Sequence, residues 1–522
     1  MKQSQLLIKN FAVGFFRTAV MIIVGFFLTR ILVNQLGLEV FGLFTTIGAS
    51  GMFFALVTNT MQLSVAREFG IRIGEGDSKR LASAFSSAFF IQLACGLIML
   101  MTGLICSRWI LERLIVPEGY LETTSICLTL IFLQITAGIV ASPFGGLIRA
   151  HQDISTVSAL QLAGRVAVFL SALCIVLIPS SKLLTFVAMS FVCNIAVCVG
   201  QTWISLRRYP ESWPRWRLFS FDVAKSMFRY GSMAFLGTVG GQLRRNGIAV
   251  ILNVYFGNLV AAANGIALRL SGLTSQFVGV IAPAIQAAMN MNQGAGNKAV
   301  THRLITLSST IGMAVVLPIV VPLLTDTESL LRFWLGVPPP QYAVLFTQII
   351  AIPFAASMLS KGYAMAMHAK GEIGWLTTIN QLLVIMGIAV GGFIACSTGQ
   401  RPWLLLTGEI AGVILATWIW QPIWASRCLN FSIKSWLKET LMPTCVMLVG
   451  IVGSTMVLTS YVETSVLRGV LLSAIAATVC FMVLCSVGLR KHERQQLAEA
   501  LRIKSRRMIP SVFTSRKLDA RS

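Results

Sequence analysis

The feature that most constrains this chain is a series of apolar runs, each about twenty residues or longer and each followed by a short polar loop. A run of this length crosses the hydrocarbon core of a bilayer as an α-helix. Because the bilayer interior offers no water to backbone N–H and C=O groups, many such runs predict a bundle of helices. Hydrophobic residues make up 56% of the sequence and charged residues 12%, as in a polytopic membrane protein.

The apolar runs predict an all-α protein with about 14 transmembrane helices. Their approximate bounds are 11–32, 41–63, 84–105, 124–147, 155–178, 183–206, 231–256, 260–287, 304–324, 342–366, 373–396, 402–424, 441–461 and 466–488. The first run follows Lys2 and Lys9 and has no small-residue cleavage site, so we interpret it as an uncleaved span.

The distribution of basic residues explains the net charge of +23. With the N-terminus inside, most Lys and Arg residues fall in the predicted inner loops and at the two termini. The basic residues of the predicted outer loops are Arg108, Arg113, Lys182, Arg332, Arg401 and Arg468. This asymmetry follows the positive-inside rule, so it predicts cytoplasmic termini and requires no nucleic-acid partner.

The two halves of the chain share landmarks at a nearly constant offset. Gly37 corresponds to Gly257, and GEGD at 74–77 corresponds to GAGN at 294–297, both at an offset of 220. A third set, at an offset of 219, pairs Ala150, Asp153 and Ile154 with Ala369, Glu372 and Ile373. Because a repeat with an even number of spans keeps its orientation, the two units are predicted to be related by an axis along the membrane normal.

This duplication predicts five parts of the chain. They are a six-helix lobe at 1–210, an interfacial cytoplasmic linker at 211–230, a second six-helix lobe at 231–430, an extra helix pair at 431–488 and a basic cytoplasmic tail at 489–522. The linker mixes Trp and Phe with Arg and Lys, a composition typical of the membrane–water interface.

Five arginines fall well inside predicted spans, where each costs roughly 2.5–3.5 kcal/mol and normally faces a protein interior or a wet cavity. They are Arg17, Arg165, Arg244, Arg245 and Arg269. Three amide residues share polar helix faces with them, namely Gln161, Gln242 and Asn246. We predict that these eight side chains line a cationic substrate-binding cavity. Alternatively, Arg17 and Arg269 extend to the nearest interface, and Arg244 pairs with a carboxylate or with helix carbonyls.

Glu409 is the one carboxylate well inside a predicted span. A role in proton relay or ion coupling competes with a structural pairing to a buried arginine. The four histidines lie far apart in the sequence, and the eleven cysteines form no CxxC pair. The sequence therefore predicts no metal site and no cofactor.

Several motifs occur together with the duplication. These are LGLEVFG at 36–42, AREFG at 66–70 followed by GEGD, and RAHQD at 149–153. With the 6 + 6 repeat and two further spans, they resemble the Wzx-type polysaccharide-biosynthesis flippases of the multidrug/oligosaccharidyl-lipid/polysaccharide exporter superfamily. The resemblance implies a MATE-like, two-lobed fold in the inner membrane. It also implies flipping of a polyprenyl-pyrophosphate-linked oligosaccharide to the outer leaflet by alternating access.

The resemblance also implies partners for the protein, and two other classes of membrane protein remain as alternatives. The resemblance implies membrane lipids, the lipid-linked oligosaccharide and a polysaccharide polymerase or chain-length machinery as partners. A MATE-like cation-coupled drug antiporter stays open, although such exporters keep acidic residues in the first or seventh span and this chain has none there. A glycan polymerase or ligase is the third class, but the predicted outer loops are short and contain no His. We therefore expect a transporter and not an enzyme.

Overall fold

The computed structural model describes residues 2–151, 153–177, 181–225, 227, 246–279, 285–286, 289, 298–370, 374–398, 401–429 and 432–488. Every regular element within these ranges is helical, as the apolar runs predict. Ten of the described helices are long and apolar enough to cross a membrane, or eleven if one bent pair is counted as a span. One helix contains two of the predicted spans, so this count is compatible with about 14 spans.

The first half of the chain forms the helices α1 (Lys2–Glu75), α2 (Ser78–Arg113), α3 (Leu121–Ala150), α4 (Ile154–Cys174) and α5 (Lys182–Arg208). α1 contains the first two predicted spans, because Gly37 (φ 77°, ψ 164°) interrupts it between them. This positive φ is readily adopted by glycine alone. Asp77 caps α2 by accepting hydrogen bonds from the backbone N–H groups of Lys79 and Arg80.

The second half forms α6 (Ile248–Phe256), α7 (Asn258–Gly279), α8 (Lys298–Thr325), α9 (Thr327–Leu335), α10 (Ala343–Leu359), α11 (Lys361–Lys370), α12 (Gly374–Ser397), α13 (Trp403–Ile414) and α14 (Gln421–Leu429). α10 and α11 meet at a bend of 52°. The π-helical turn Leu415–Trp420 joins α13 to α14 in one span. The described chain is completed by α15 (Ile433–Trp436), α16 (Met442–Tyr461) and α17 (Val466–Val483).

The two halves repeat one arrangement of helices. Gly257, between α6 and α7, has φ 89° and ψ 177°, close to the values at Gly37. α3 and α10 begin 222 residues apart, close to the 220 that separates Gly37 from Gly257. These correspondences confirm two repeated six-helix lobes and an extra helix pair. The five domain boundaries derived from the sequence stay predictions.

The bundle has two ends, which we name after marker residues. The Gly37 end carries the turns at Gly37 and Gly257, and the Asp77 end carries Asp77, Asp153 and the start of the linker. One hydrophobic core cluster joins both lobes near the Gly37 end, with Leu32, Phe41, Leu252, Ile266, Trp334 and Phe346 among its members. Of the core clusters nearest the Asp77 end, one lies in the first lobe and the linker, and the other joins the second lobe to the extra helix pair.

Hydrogen bonds between the lobes reinforce this shared core. Asn34 Nδ2 donates to the carbonyl oxygen of Leu335 at 2.7 Å, and Trp334 Nε1 donates to that of Phe26 at 2.8 Å. The helix backbones also touch, since a Cβ atom added at Gly42 in α1 would overlap the carbonyl oxygen of Asn258 in α7. We call this contact between the lobes the Gly37-end seam.

The extra helix pair is fastened to the second lobe at both ends. Arg468 in α17 pairs with Asp326 at 2.6 Å, and both side chains are buried. Near the Asp77 end, Arg303 in α8 lies 3.5 Å from the carboxylate of Glu439 and donates to the carbonyl oxygen of Gly488 at 2.8 Å. The extra helix pair is therefore attached to the second lobe.

Candidate functional site

Arg269 reaches from the second lobe to the first. It lies near the middle of α7, and its guanidinium carbon is 5.6 Å from the ring centre of Phe41 and 5.9 Å from that of Phe44. Its Nη1 donates a hydrogen bond of 3.4 Å to Thr29 Oγ1. Phe41, Phe44 and Thr29 all belong to α1. Two aromatic faces and a hydroxyl thus partly compensate a cation in an apolar region.

Arg165 approaches the same place from the first lobe. It lies near the middle of α4 with an exposed side chain, close enough to Arg269 for the two positive charges to interact. Arg269 is deep in the molecule yet keeps part of its surface accessible. The two lobes therefore bring two positive charges close enough to interact, one from α4 and one from α7.

The electrostatics of this pair favour an anion. Neither Arg165 nor Arg269 pairs with a carboxylate among the residues that the structure describes. Two like charges in a region of low dielectric repel each other strongly. An anionic group between them would remove this repulsion and accept charge-assisted hydrogen bonds from both planar donor forks.

The other predicted site residues are placed as follows. Gln161 lies one turn before Arg165 in α4 and is partly buried. Asn246 precedes α6 and is buried, and its Nδ2 has no hydrogen-bond partner within the described part of the chain. Glu409 lies in α13 and is half-buried. Gln242, Arg244 and Arg245 lie outside the described residues, as does the side chain of Arg17 in α1.

The sequence analysis missed the α1 residues that contact Arg269. Thr29, Phe41 and Phe44 appear in the sequence as ordinary members of apolar spans. The one available signal is the spacing of Phe41 and Phe44, which places them on the same helix face directly after the turn at Gly37. That spacing does not identify Arg269 as their neighbour, because Thr29 and Arg269 are 240 positions apart.

The comparisons with known proteins identify the fold. No family model and no curated protein sequence matches the chain. An inward-facing multidrug resistance MATE family transporter of the MOP superfamily has a TM-score of 0.70 and 12% identity, over 80% of this chain and 98% of that one. The lipid II flippase MurJ, inward closed, has a TM-score of 0.68 and 12% identity, over 91% of this chain and 97% of that one.

A third solved structure shows the same fold in another state. An outward-facing MATE family transporter of the MOP superfamily has a TM-score of 0.56 and 14% identity, over 81% of this chain and 97% of that one. The chain therefore has the two-lobed fold of these membrane transporters. At such identities the similarity establishes the fold, and the substrate has to be argued from the site.

Proposed function

We propose that this protein moves a polyprenyl-pyrophosphate-linked oligosaccharide from the cytoplasmic to the outer leaflet of the inner membrane by alternating access. The observation that carries the proposal is the position of Arg269, from one lobe, against Phe41, Phe44 and Thr29 of the other, within reach of the charge of Arg165. A pyrophosphate presents two adjacent anionic groups, and each guanidinium can donate two parallel hydrogen bonds to one of them. The site thus suits a lipid pyrophosphate held between the lobes.

The lengths of the structural matches support a lipid-linked cargo. The lipid II flippase covers 91% of this chain, whereas the inward-facing MATE transporter covers 80%. The difference is about a tenth of the chain, close to the share occupied by the extra helix pair α16–α17. Lipid II is the cargo from which that flippase takes its name, and its greater coverage favours a lipid-linked cargo here as well.

The conformation fits one step of the proposed cycle. The chain resembles the inward-facing MATE transporter more than the outward-facing one, with TM-scores of 0.70 and 0.56. Closure at the Gly37 end is expected of an inward-facing state if that end faces outward, as the positive-inside rule predicts. In the proposed cycle, cargo enters from the Asp77 end, and Glu409 is the candidate for coupling to an ion. A polysaccharide polymerase would then act on the flipped unit.

A cation-coupled drug antiporter is the alternative, favoured by the TM-score of 0.70 with a MATE transporter. Its cationic drug would meet Arg165 and Arg269, which have no carboxylate partner among the described residues. Repulsion by these two charges opposes the binding of such a drug.

Reconstitution of the purified protein tests the proposal. Vesicles would contain a fluorescent lipid-linked oligosaccharide, and its transfer between leaflets would be followed with a membrane-impermeant quencher. We expect transfer by the wild type and little by Arg165→Ala/Arg269→Ala. Arg332→Ala is the control, because Arg332 pairs with Glu328 on the exposed surface of α9. Undiminished transfer by the double variant overturns the proposed site, and uptake of a cationic dye without lipid transfer favours the antiporter.

A further inference from the structure

Hydrogen bonds attach the start of the linker between the lobes to α2. Ser83 Oγ donates to the carbonyl oxygen of Leu218 at 2.7 Å, and the backbone N–H of Arg215 donates to Ser86 Oγ at 3.1 Å. A third serine of the same helix face accepts a backbone hydrogen bond of 2.9 Å from the linker. Serines at this spacing lie on one side of a helix. The segment from 209 to 220 is therefore a fixed part of the first lobe.

Large aromatic side chains are exposed along this segment and directly after it. Trp213 is 56% exposed, Trp216 is 69% exposed and Phe221 is 74% exposed. Close by, at the end of α5, Trp203 is 54% exposed and the guanidinium carbon of Arg207 lies 4.4 Å from its ring centre. Because the predicted span of α5 ends near residue 206, we expect these aromatic side chains at the depth where Trp and Tyr usually meet the membrane–water interface.

The same surface carries unpaired positive charge. Arg207, Arg215, Arg217 and Lys225 are exposed, and none of them forms an ion pair with a described residue. The one exposed acidic residue among residues 203–225 is Asp222. The surface thus has a clear excess of cations.

The neighbouring carboxylates do not neutralise this excess. Asp153 is paired with Arg208, and Glu211 lies 3.1 Å from His151. Burial would raise the pKa of Asp153, but hydrogen bonds from Thr156 and Ser155 and the charge of Arg208 outweigh it and hold the pKa below its ordinary value. Asp153 therefore stays charged at neutral pH and remains engaged with its own partner.

We propose that the linker face, defined as Trp203, Arg207, Trp213, Arg215, Trp216 and Arg217, binds the headgroups of anionic phospholipids in the adjacent leaflet. The aromatic rings lie at the headgroup level, where they hold the surface against the membrane. The guanidinium groups donate to headgroup phosphates, and each basic residue near an anionic surface favours binding. The proposal concerns bulk lipid and is independent of the cargo site between the lobes.

The opposite end of the first lobe offers a matched control surface. Arg113 lies 5.8 Å from the ring centre of Trp109, and Trp109 is 62% exposed. Glu112 is exposed beside this pair, and Glu118 follows in the next loop. The control surface has the same arginine–tryptophan contact without the excess of positive charge.

A titration of the full-length protein in neutral detergent tests the proposal. Phosphatidylglycerol or phosphatidylcholine would be added in mixed micelles, and the shift in Tm would give an apparent affinity. We expect phosphatidylglycerol to raise Tm more than phosphatidylcholine does. Arg207→Gln/Arg215→Gln/Arg217→Gln should bind phosphatidylglycerol about fivefold more weakly for each charge removed.

Two further variants show whether a weaker response to phosphatidylglycerol comes from the loss of charge or from a change in folding. Arg207→Lys/Arg215→Lys/Arg217→Lys keeps the charges and should retain most of the response to phosphatidylglycerol. Arg108→Gln/Arg113→Gln/Arg401→Gln removes three exposed charges near the Gly37 end and should respond like the wild type. Inorganic phosphate and pyrophosphate should not reproduce the shift, since they lack the lipid tails that place the headgroup at this surface. Equal responses to both lipids, or an unchanged affinity in the glutamine variant, overturn the proposal.

Discussion

Two arginines at mid-membrane depth are tolerated only where their surroundings partly compensate the cost of placing a charge in an apolar region. For Arg269 this is the pair of rings from Phe41 and Phe44 and the hydroxyl of Thr29. Arg165 instead keeps an exposed side chain, which water in the proposed cavity between the lobes can hydrate. The two residues differ in surroundings, and their variants should differ accordingly.

Substitution of Arg165 is expected to change transport and leave folding largely unchanged. Arg165→Lys keeps the charge but loses the planar donor fork, so it should retain part of the activity that Arg165→Ala loses. Arg165→Glu should be the least active, because it repels phosphate. Membrane abundance and lipid transfer would be measured for all three variants. Equal depletion of the Lys and Ala proteins from the membrane would assign Arg165 a purely structural role.

Glu409→Gln tests whether this carboxylate couples transport to protons. If Glu409 relays protons, the variant should reach normal abundance while lipid transfer no longer responds to an imposed pH gradient. If Glu409 instead compensates a buried charge, its loss should lower abundance, since an uncompensated buried charge is costly. Normal abundance together with an unchanged pH response would exclude Glu409 from the mechanism.

At the scale of elements, α12 and α13 pack backbone against backbone. A Cβ atom at Gly408 would overlap the carbonyl oxygen of Gly387, and one at Gly412 would lie 2.7 Å from that of Leu383. Gly408→Ala should therefore force the helices apart and cost about 1–3 kcal/mol, the usual range for overpacking. Thermal unfolding in detergent would measure the loss. Gly392→Ala is the control in α12, since its Cβ would lie an ordinary 3.5 Å from Leu405 Cδ1.

The ion pair between Asp326 and Arg468 fastens the extra helix pair to the second lobe. Both side chains are buried, so Asp326→Asn should destabilise the protein by about 3–5 kcal/mol by leaving a buried charge alone. The exposed pair Glu328–Arg332 is the control, because a surface pair contributes about 0–1 kcal/mol. Urea unfolding of Asp326→Asn and Glu328→Gln should show this difference. Similar losses in both variants would contradict a fastening role for the buried pair.

Features set by local chemistry could be predicted from the sequence, and contacts between distant segments could not. Gly37 and Asp77 mark an interruption and a cap through their own backbone and side-chain preferences, so the order of helices and the repeat follow from the sequence. The polar face of α4 likewise identified Arg165. The contact of Arg269 with Phe41 and the docking of the linker on Ser83 depend on tertiary packing, for which one sequence gives no distance information.

At the scale of the whole molecule, the positive-inside rule and the closed Gly37 end make one prediction about orientation. Reporter fusions after Arg208 and after Leu429 should be cytoplasmic, whereas fusions after Glu118 and after Ser397 should report the outer side. An enzymatic reporter active on only one side of the membrane would measure this. Inversion at any two of these sites would contradict the orientation proposed for the transport cycle.

The Gly37-end seam should control the balance between the two states of the cycle. It closes because Gly42 has no side chain, and the backbone of α1 therefore reaches Asn258 of α7. Gly42→Val would insert a bulky side chain into this contact, and an overpacking cost of about 1–3 kcal/mol in the closed state alone shifts the equilibrium roughly 5- to 150-fold toward opening. Gly48→Val is the control in the same helix, because a Cβ there would meet nothing within 4 Å.

Distances between the lobes would report this shift. Spin labels at Glu118 in the first lobe and Thr398 in the second, in a background without native cysteines, should give longer distances in Gly42→Val than in Gly48→Val. Lipid transfer should also fall in Gly42→Val, because a cycle that cannot close at the Gly37 end cannot return to accept cargo from the Asp77 end. If Gly42→Val gives the wild-type distance distribution at wild-type stability, the seam is not the contact that opens and closes during transport.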